Sequence, residues 1–173
     1  MRALVQRVSR ARVRIRGPGS AAGSDLTAHP GLAEIERGVV VLVGVGRGDS
    51  IECARRLAQK ITGLRIFGDE SGRMNRSLVE VRGEVLAVSQ FTLYADIRKG
   101  NRPSFGDAAP PELARELFGE LVATLVDSGG RIEVGVFGAD MEIELVNDGP
   151  VTVWLDTAQL GMPGAGAMTR STR

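Results

Sequence analysis

Two short segments about sixty residues apart hold the residue types most able to do chemistry in this chain. They are Ser89-Gln90-Phe91-Thr92-Leu93-Tyr94-Ala95-Asp96 and Asn147-Asp148-Gly149-Pro150-Val151-Thr152. Conventional catalytic machinery is nearly absent: the 173 residues include one histidine, His29, and one cysteine, Cys53. Chemistry must therefore rest on hydroxyls, amides, backbone groups or the substrate itself. Ser89 and Thr92 offer hydroxyls, but an alcohol without a neighbouring base is a weak nucleophile, and no His or Lys stands beside them. Two readings stay open for this pair: they line a site at the C-terminal end of a strand, or they satisfy local backbone groups. Gly149-Pro150 is equally two-sided. It reads as a turn before a final strand, with trans the ordinary isomer, or as a rigid element whose carbonyl groups recognise an amine.

The elements that must position these segments are short and regular. Residues 2–8 and 10–16 read as two strands; in the second, Arg10, Arg12, Arg14 and Arg16 alternate with Ala11, Val13 and Ile15. Val39 to Val45 is a continuous β-branched run suited to a strand buried on both faces. Asp49 or Ser50 is placed to cap a helix from Ile51 to about Leu64, with Ile51, Ala54, Ala58 and Ile61 as its apolar stripe. Arg65 to Phe67 is strand-like, and Asp69 to Gly72 is a turn. Glu84 to Thr92 is a strand that turns polar at its end. A basic loop covers 96–109, and Pro111 suits the first turn of a second helix reaching about Val126. Gly129-Gly130 ends that helix. Arg131 to Val136, Met141 to Val146 and Val151 to Leu155 complete the strands.

Bulk composition narrows the class. The length suits one domain, 43% hydrophobic content supplies a core, and aromatic residues are only 4%, so that core is aliphatic. A net charge of +1 gives no global drive toward nucleic acid, although a local basic patch remains available. A lone cysteine excludes an internal disulfide. No run is long enough to span a membrane, and charges interrupt the first apolar stretch, so neither a membrane nor a signal peptide is expected and a cytoplasmic location is. Residues 17–31 read as a surface insertion and 158–173 as a disordered tail, leaving 1–157 as the domain.

Several motifs are discounted. Gly44-Val45-Gly46-Arg47-Gly48 lacks the spacing of a phosphate loop and reads as a strand-to-helix turn. His29 has no Cys or His partner, so no metal site is expected. Cys53, early on its helix, reads as a small core residue.

The two segments together closely resemble the D-aminoacyl-tRNA deacylases. Supporting matches are Gln6-Arg7-Val8, Arg65-Ile66-Phe67, Gly100-Asn101-Arg102-Pro103-Ser104-Phe105 and Phe137-Gly138-Ala139-Asp140-Met141, in the family's order over roughly residues 1–156. The resemblance implies an α/β fold: a compact barrel-like domain of mixed and antiparallel β-sheets with two main helices, assembled as a homodimer. It implies hydrolysis of the ester joining a D-amino acid, or glycine, to the 3′ end of tRNA, without a cofactor. It places Ser89, Gln90, Phe91 and Thr92 around the reacting ester. It makes Gly149-Pro150 a cis element inserted into the partner's pocket, with Val151 and Thr152 beside it, Arg7 as its brace, and Phe137 and Met141 as further pocket residues. Arg98, Lys99 and Arg102 become candidates for contacting tRNA phosphates, as does the arginine stripe, for which a solvated strand face is the favoured reading. Tyr94 stands where the family often has a small residue, a departure that bears on pocket shape. The alternatives from other classes are a non-catalytic tRNA-binding module and a structural homodimer.

Overall fold

Alternation of apolar and polar residues along the longest strands sets the architecture. The computed structural model describes residues 1–16 and 33–160. In chain order the elements are β1 (Arg2–Ile15), β2 (Ala33–Ile35), β3 (Gly38–Gly44), α1 (Ile51–Gly63), β4 (Phe67–Gly68), β5 (Met74–Arg76), β6 (Glu84–Ser89), a 3₁₀ turn (Phe91–Tyr94), α2 (Pro111–Asp127), β7 (Ile132–Val134) and β8 (Met141–Asp156), followed by a 3₁₀ turn over Thr157–Gln159. The main sheet runs β2-β1-β3-β6-β7, with β8 pairing the other side of β1; β3 and β6, and β6 and β7, are parallel, and the remaining pairs are antiparallel. The sheet curls into a nearly closed barrel with the two helices against it. The β4-β5 hairpin stands apart.

Each face of the sheet has its own core. Val39, Val41 and Val43 of β3 and Val85 and Ala87 of β6 face the helices, meeting Leu57 and Ile61 of α1 and Leu117, Leu121 and Leu125 of α2. Val40, Leu86 and Val88 point the other way, into the curl, with Val8, Ala11, Val13 and Ile35. Burial on both faces is what the continuous Val run of β3 requires. Ser50 caps α1, its hydroxyl accepting from the Cys53 amide at 3.4 Å. The buried stripe of α1 is Cys53, Ala54, Leu57, Ala58 and Ile61; Ile51, expected in it, is 42% exposed because the stripe meets the core only from Cys53 onward. In the β4-β5 turn, Asp69 accepts from the Ser71 amide at 2.8 Å and from Asn75 Nδ2 at 2.6 Å. Hydrogen bonds from the Asn75 and Ser71 side chains hold its pKa down at about 2.

Several boundaries differ from those expected; the strand-like Arg65 to Phe67 is β4 over Phe67–Gly68, and Arg131 to Val136 shortens to β7 over Ile132–Val134. The segments 2–8 and 10–16 are one strand: an extra residue, Ser9, bulges between Val8 and Arg10, and beyond it the alternation inverts. Thus Ala3 and Val5 face the helices, whereas Ala11 and Val13 face the curl. Met141 to Val146 and Val151 to Leu155 are likewise parts of one strand, β8, paired with β1 from Met141 to Asp156. The strand beginning at Glu84 ends at Ser89, not Thr92, because its partner β3 ends at Gly44. Ala158 to Leu160, assigned to the tail, continue the fold, with Leu160 packed against the core. The insertion 17–31, with His29, and the tail beyond Leu160 lie outside the described residues. No helix among the described residues is long and apolar enough to cross a membrane.

Candidate active site

At the C-terminal end of β6 the ladder gives out. The Gln90 amide makes one last bond to Val43 O at 2.7 Å, and the chain then tightens into the 3₁₀ turn, with Leu93 N donating to Gln90 O at 3.3 Å and Ala95 N to Thr92 O at 3.0 Å. The opening amides of such a turn have no partner within it. Gln90's amide is already occupied, whereas the Phe91 amide has no backbone partner among the described residues.

Beside this turn lies a cleft of about 650 Å³. Its floor is Val45, Val88, Ser89 and Gln90; its walls are Phe91 and Phe105 on one side and Phe137 to Met141 on another, with Pro110, Pro111 and Ala114 at the start of α2. Phe91 and Phe105 meet edge to face, centroids 4.9 Å apart. Phe137 lies under the Arg115 guanidinium at 4.5 Å and beside Phe118. Among the described residues, the charged side chains lining it are Arg47 and Asp140. Arg47 Nε donates to Gly106 O at 2.5 Å, tying the strand-to-helix turn to the loop that carries Phe105.

Five of the expected site residues therefore share the cleft: Ser89, Gln90, Phe91, Phe137 and Met141. Thr92 does not line it; it is exposed at the rim, its hydroxyl accepting from Gln90 Nε2. Tyr94 is also outside the cleft, so its departure from the family pattern does not narrow the lining. Arg47, Phe105, Pro110, Pro111 and Ala139 line the cleft without having been named as site residues. For Arg47 a signal was available, since its position just past the end of a buried strand is where sheet-based sites gather.

Gly149, Pro150, Val151, Thr152 and Arg7 form a second cluster, and none of them lines the cleft. While β1 advances from Gln6 to Val8, β8 covers everything from Thr152 back to Asn147, so Asp148 to Val151 loop out as an excursion opposite Arg7. The Gly149-Pro150 bond is cis and Gly149 has φ 122°. Asn147 closes the excursion at its base: its Oδ1 accepts from Val151 N at 2.9 Å and its Nδ2 donates to Thr152 Oγ1 at 3.0 Å. Arg7 Nε donates to Asp148 O at 3.2 Å and pairs with the Asp148 carboxylate at 3.0 Å, while Nη1 reaches Ile66 O. A Cβ on Gly149 would come within 2.9 Å of Arg7 Nη2, a contact that only glycine avoids. Gly149, Pro150 and Thr152 are solvent-exposed.

The basic candidates differ among themselves. Arg98 is held by Asp96 through a fork of 2.8 and 2.7 Å, whose hydrogen bonds keep the Asp96 carboxyl well below the usual carboxylate range. Lys99 and Arg102 are exposed and make no ion pair among the described residues. In the β1 stripe, Arg12 pairs with Glu144 at 2.5 Å and Arg14 with Glu142 at 2.7 Å, as a solvated strand face would.

Comparison with known proteins bears on the chain as a whole. The family model described as D-Tyr-tRNA(Tyr) deacylase matches residues 4–156. A D-aminoacyl-tRNA deacylase of Koribacter versatilis is 55% identical, covering 91% of this chain and 97% of the relative. One of Anaeromyxobacter dehalogenans is 52% identical, covering 92% and 99%. Among solved structures, the c-Myc DNA Unwinding Element Binding Protein superposes with a TM-score of 0.76 at 37% identity, covering 90% of this chain and 98% of that one. A probable eukaryotic D-amino acid tRNA deacylase shares the fold at a TM-score of 0.71 and 16% identity, over 89% and 97%. This chain belongs to the D-Tyr-tRNA(Tyr) deacylase family.

Proposed function

We propose that this protein hydrolyses the ester of D-aminoacyl-tRNA, releasing the D-amino acid and free tRNA, and spares the L-aminoacyl form. The carrying observation, beside family membership, is the division of the monomer into a cleft and a separate excursion that is braced at its base and open to solvent. In a homodimer of cytoplasmic location, the Gly149-Pro150 excursion of one copy enters the cleft of the other. Its backbone then holds the α-amine, and an L side chain strikes it. Discrimination by collision suits the task, because D side chains vary and no single side-chain pocket fits them all. Glycine presents no side chain to reject, so glycyl-tRNA is hydrolysed as well.

The chemistry asks little of the side chains. The ester is activated already, and among the described residues the only charged side chains lining the cleft are Arg47 and Asp140. The Phe91 amide stabilises the developing oxyanion, a contribution whose loss typically costs ~10²–10³ in rate. The terminal 2′-hydroxyl of the RNA positions the attacking water, and Thr92 orders the rim through Gln90. Lys99 and Arg102 neutralise phosphates near the 3′ end, and Arg98, already paired, contributes less.

The decisive experiment is release of tyrosine from matched D-tyrosyl- and L-tyrosyl-tRNA by the purified protein. Rapid loss of the D form alone is the expected outcome. Binding of both without hydrolysis of either would replace this reading with a tRNA-binding module, and equal hydrolysis of both would refute rejection by the excursion.

A further inference from the structure

The turn that carries Phe91 and Thr92 is held from outside the cleft by Arg2, which grips it through the turn's own last residue, Tyr94; neither has a role in the reaction as described so far. Arg2, the first residue of β1, sends Nη1 to Leu93 O at 2.9 Å, bonding a carbonyl of the turn directly. Its guanidinium carbon lies 4.3 Å above the Tyr94 ring centroid and 6.0 Å from that of Trp154, and its Nε reaches Asp156 Oδ2 at 3.3 Å. The Tyr94 ring also lies close to Gly44, the last residue of β3, and to Gly46 just beyond it. A Cβ added to Gly46 would come within 2.7 Å of the ring, and one on Gly44 within 3.1 Å, so the ring fills a slot that glycine leaves open. The Tyr94 hydroxyl donates to Asp49 Oδ2 at 3.2 Å, and the same oxygen accepts from Gly46 N at 2.6 Å.

We propose that Arg2 and Tyr94 are positioning residues: together they form a strut that fixes the Phe91–Tyr94 turn, and with it the Phe91 amide, relative to the cleft. The turn has few bonds of its own, and no residue from Phe91 to Tyr94 is fully buried. A four-residue 3₁₀ segment with little packing is free to shift. Arg2 suits the task because its planar fork bonds a carbonyl and stacks on a ring simultaneously, which lysine does less well. The strut also joins the turn to the last residues of β8 through Trp154 and Asp156, on the strand that carries the excursion. Neither residue touches the ester, so the effect falls on turnover rather than on tRNA binding.

The inference rests on the deacylase reading for its kinetic arm, and amide exchange tests it separately. Hydrogen exchange across residues 89–96 is measured in the RNA-free protein for the parent, Arg2→Met and Arg2→Lys. With it go kcat and KM on D-tyrosyl-tRNA. In Arg2→Met the Leu93 and Ala95 amides exchange faster while α1 and β3 are unchanged. Its kcat falls roughly tenfold, the scale of a sub-ångström misplacement, with KM unaltered. Arg2→Lys recovers part of both losses, and it decides the matter, with smaller shifts in the same direction, if Arg2→Met does not fold. Parental exchange in the variants overturns the strut. So does faster exchange with parental kcat, or a fall in kcat matched only by loss of folded protein. If the parent itself hydrolyses no aminoacyl-tRNA, the deacylase reading falls, and the exchange data still decide whether Arg2 holds the turn.

Discussion

Thr92 shows how little a residue's type says about its work until its neighbours are known. Its hydroxyl is exposed, lies outside the cleft lining and accepts from Gln90 Nε2. Its one side-chain partner among the described residues, the Gln90 amide nitrogen, cannot take its proton, so it is a poor candidate for attack and a reasonable one for ordering the rim. Thr92→Ala is expected to lower kcat on D-aminoacyl-tRNA less than about tenfold, whereas deleting a covalent nucleophile can cost on the order of 10⁶-fold. A single-turnover assay on D-tyrosyl-tRNA with acid-quenched protein distinguishes the two; an acyl group trapped on Thr92, or near-total loss in the folded variant, would restore it as nucleophile. Tyr94 makes the same point in reverse. Burial first, and then the Asp49 carboxylate, push its phenol well above the ordinary tyrosine range, so it is a neutral donor at any working pH. It serves as a packing and hydrogen-bonding group and takes no part in proton transfer.

Elements were legible in the sequence wherever a single period ran without interruption. The Val run of β3, the Ser50 cap and the Pro111 start of α2 all lie where residue types place them. Legibility failed where pairing, not propensity, decides. Ser9 bulges because β1 must feed two cores on opposite faces, and only the ladder with β8 reveals that 2–8 and 10–16 are one strand. Asn147 to Thr152 has a turn's composition, yet β1 continues past it, so the turn becomes an excursion within β8. The sequence named these residues through family resemblance but held no sign that Asn147 ties them together. Asn147→Ala removes both bonds at the base of the excursion, to Val151 N and Thr152 Oγ1. These are partly solvated, so a loss of about 1 kcal/mol is expected by urea unfolding. The larger effect is on selectivity. A loosened excursion rejects less well, so hydrolysis of L-tyrosyl-tRNA rises relative to the D form; an unchanged ratio in the destabilised variant would detach Asn147 from selection.

At the scale of the whole molecule, the monomer holds two features that share no lining residue, each half of a site in the function proposed. One is the cleft between β6, the Phe105 loop and α2; the other is the excursion on β8, the strand whose far side pairs with nothing among the described residues. An open strand edge with exposed Val146 and Trp154 is costly to leave bare and readily covered by a second copy. If two copies exchange excursions, damage to one half-site leaves the same chain's other half-site usable by a partner. Gly149→Ala damages the excursion, since its Cβ would crowd Arg7 and Val151 at a φ of +122°. Ala139→Trp fills the cleft, which Ala139 lines. Each variant alone is expected to be inactive on D-tyrosyl-tRNA. Unfolded together and refolded as a mixture, they form some dimers with one intact site, from the cleft of one chain and the excursion of the other. Random pairing of equal amounts makes roughly one site in four competent by two-fold symmetry. Recovery near that fraction fits exchanged excursions. No recovery, with both variants folded and dimeric, means that each chain completes its own site, and rejection of the L form must then arise within one subunit.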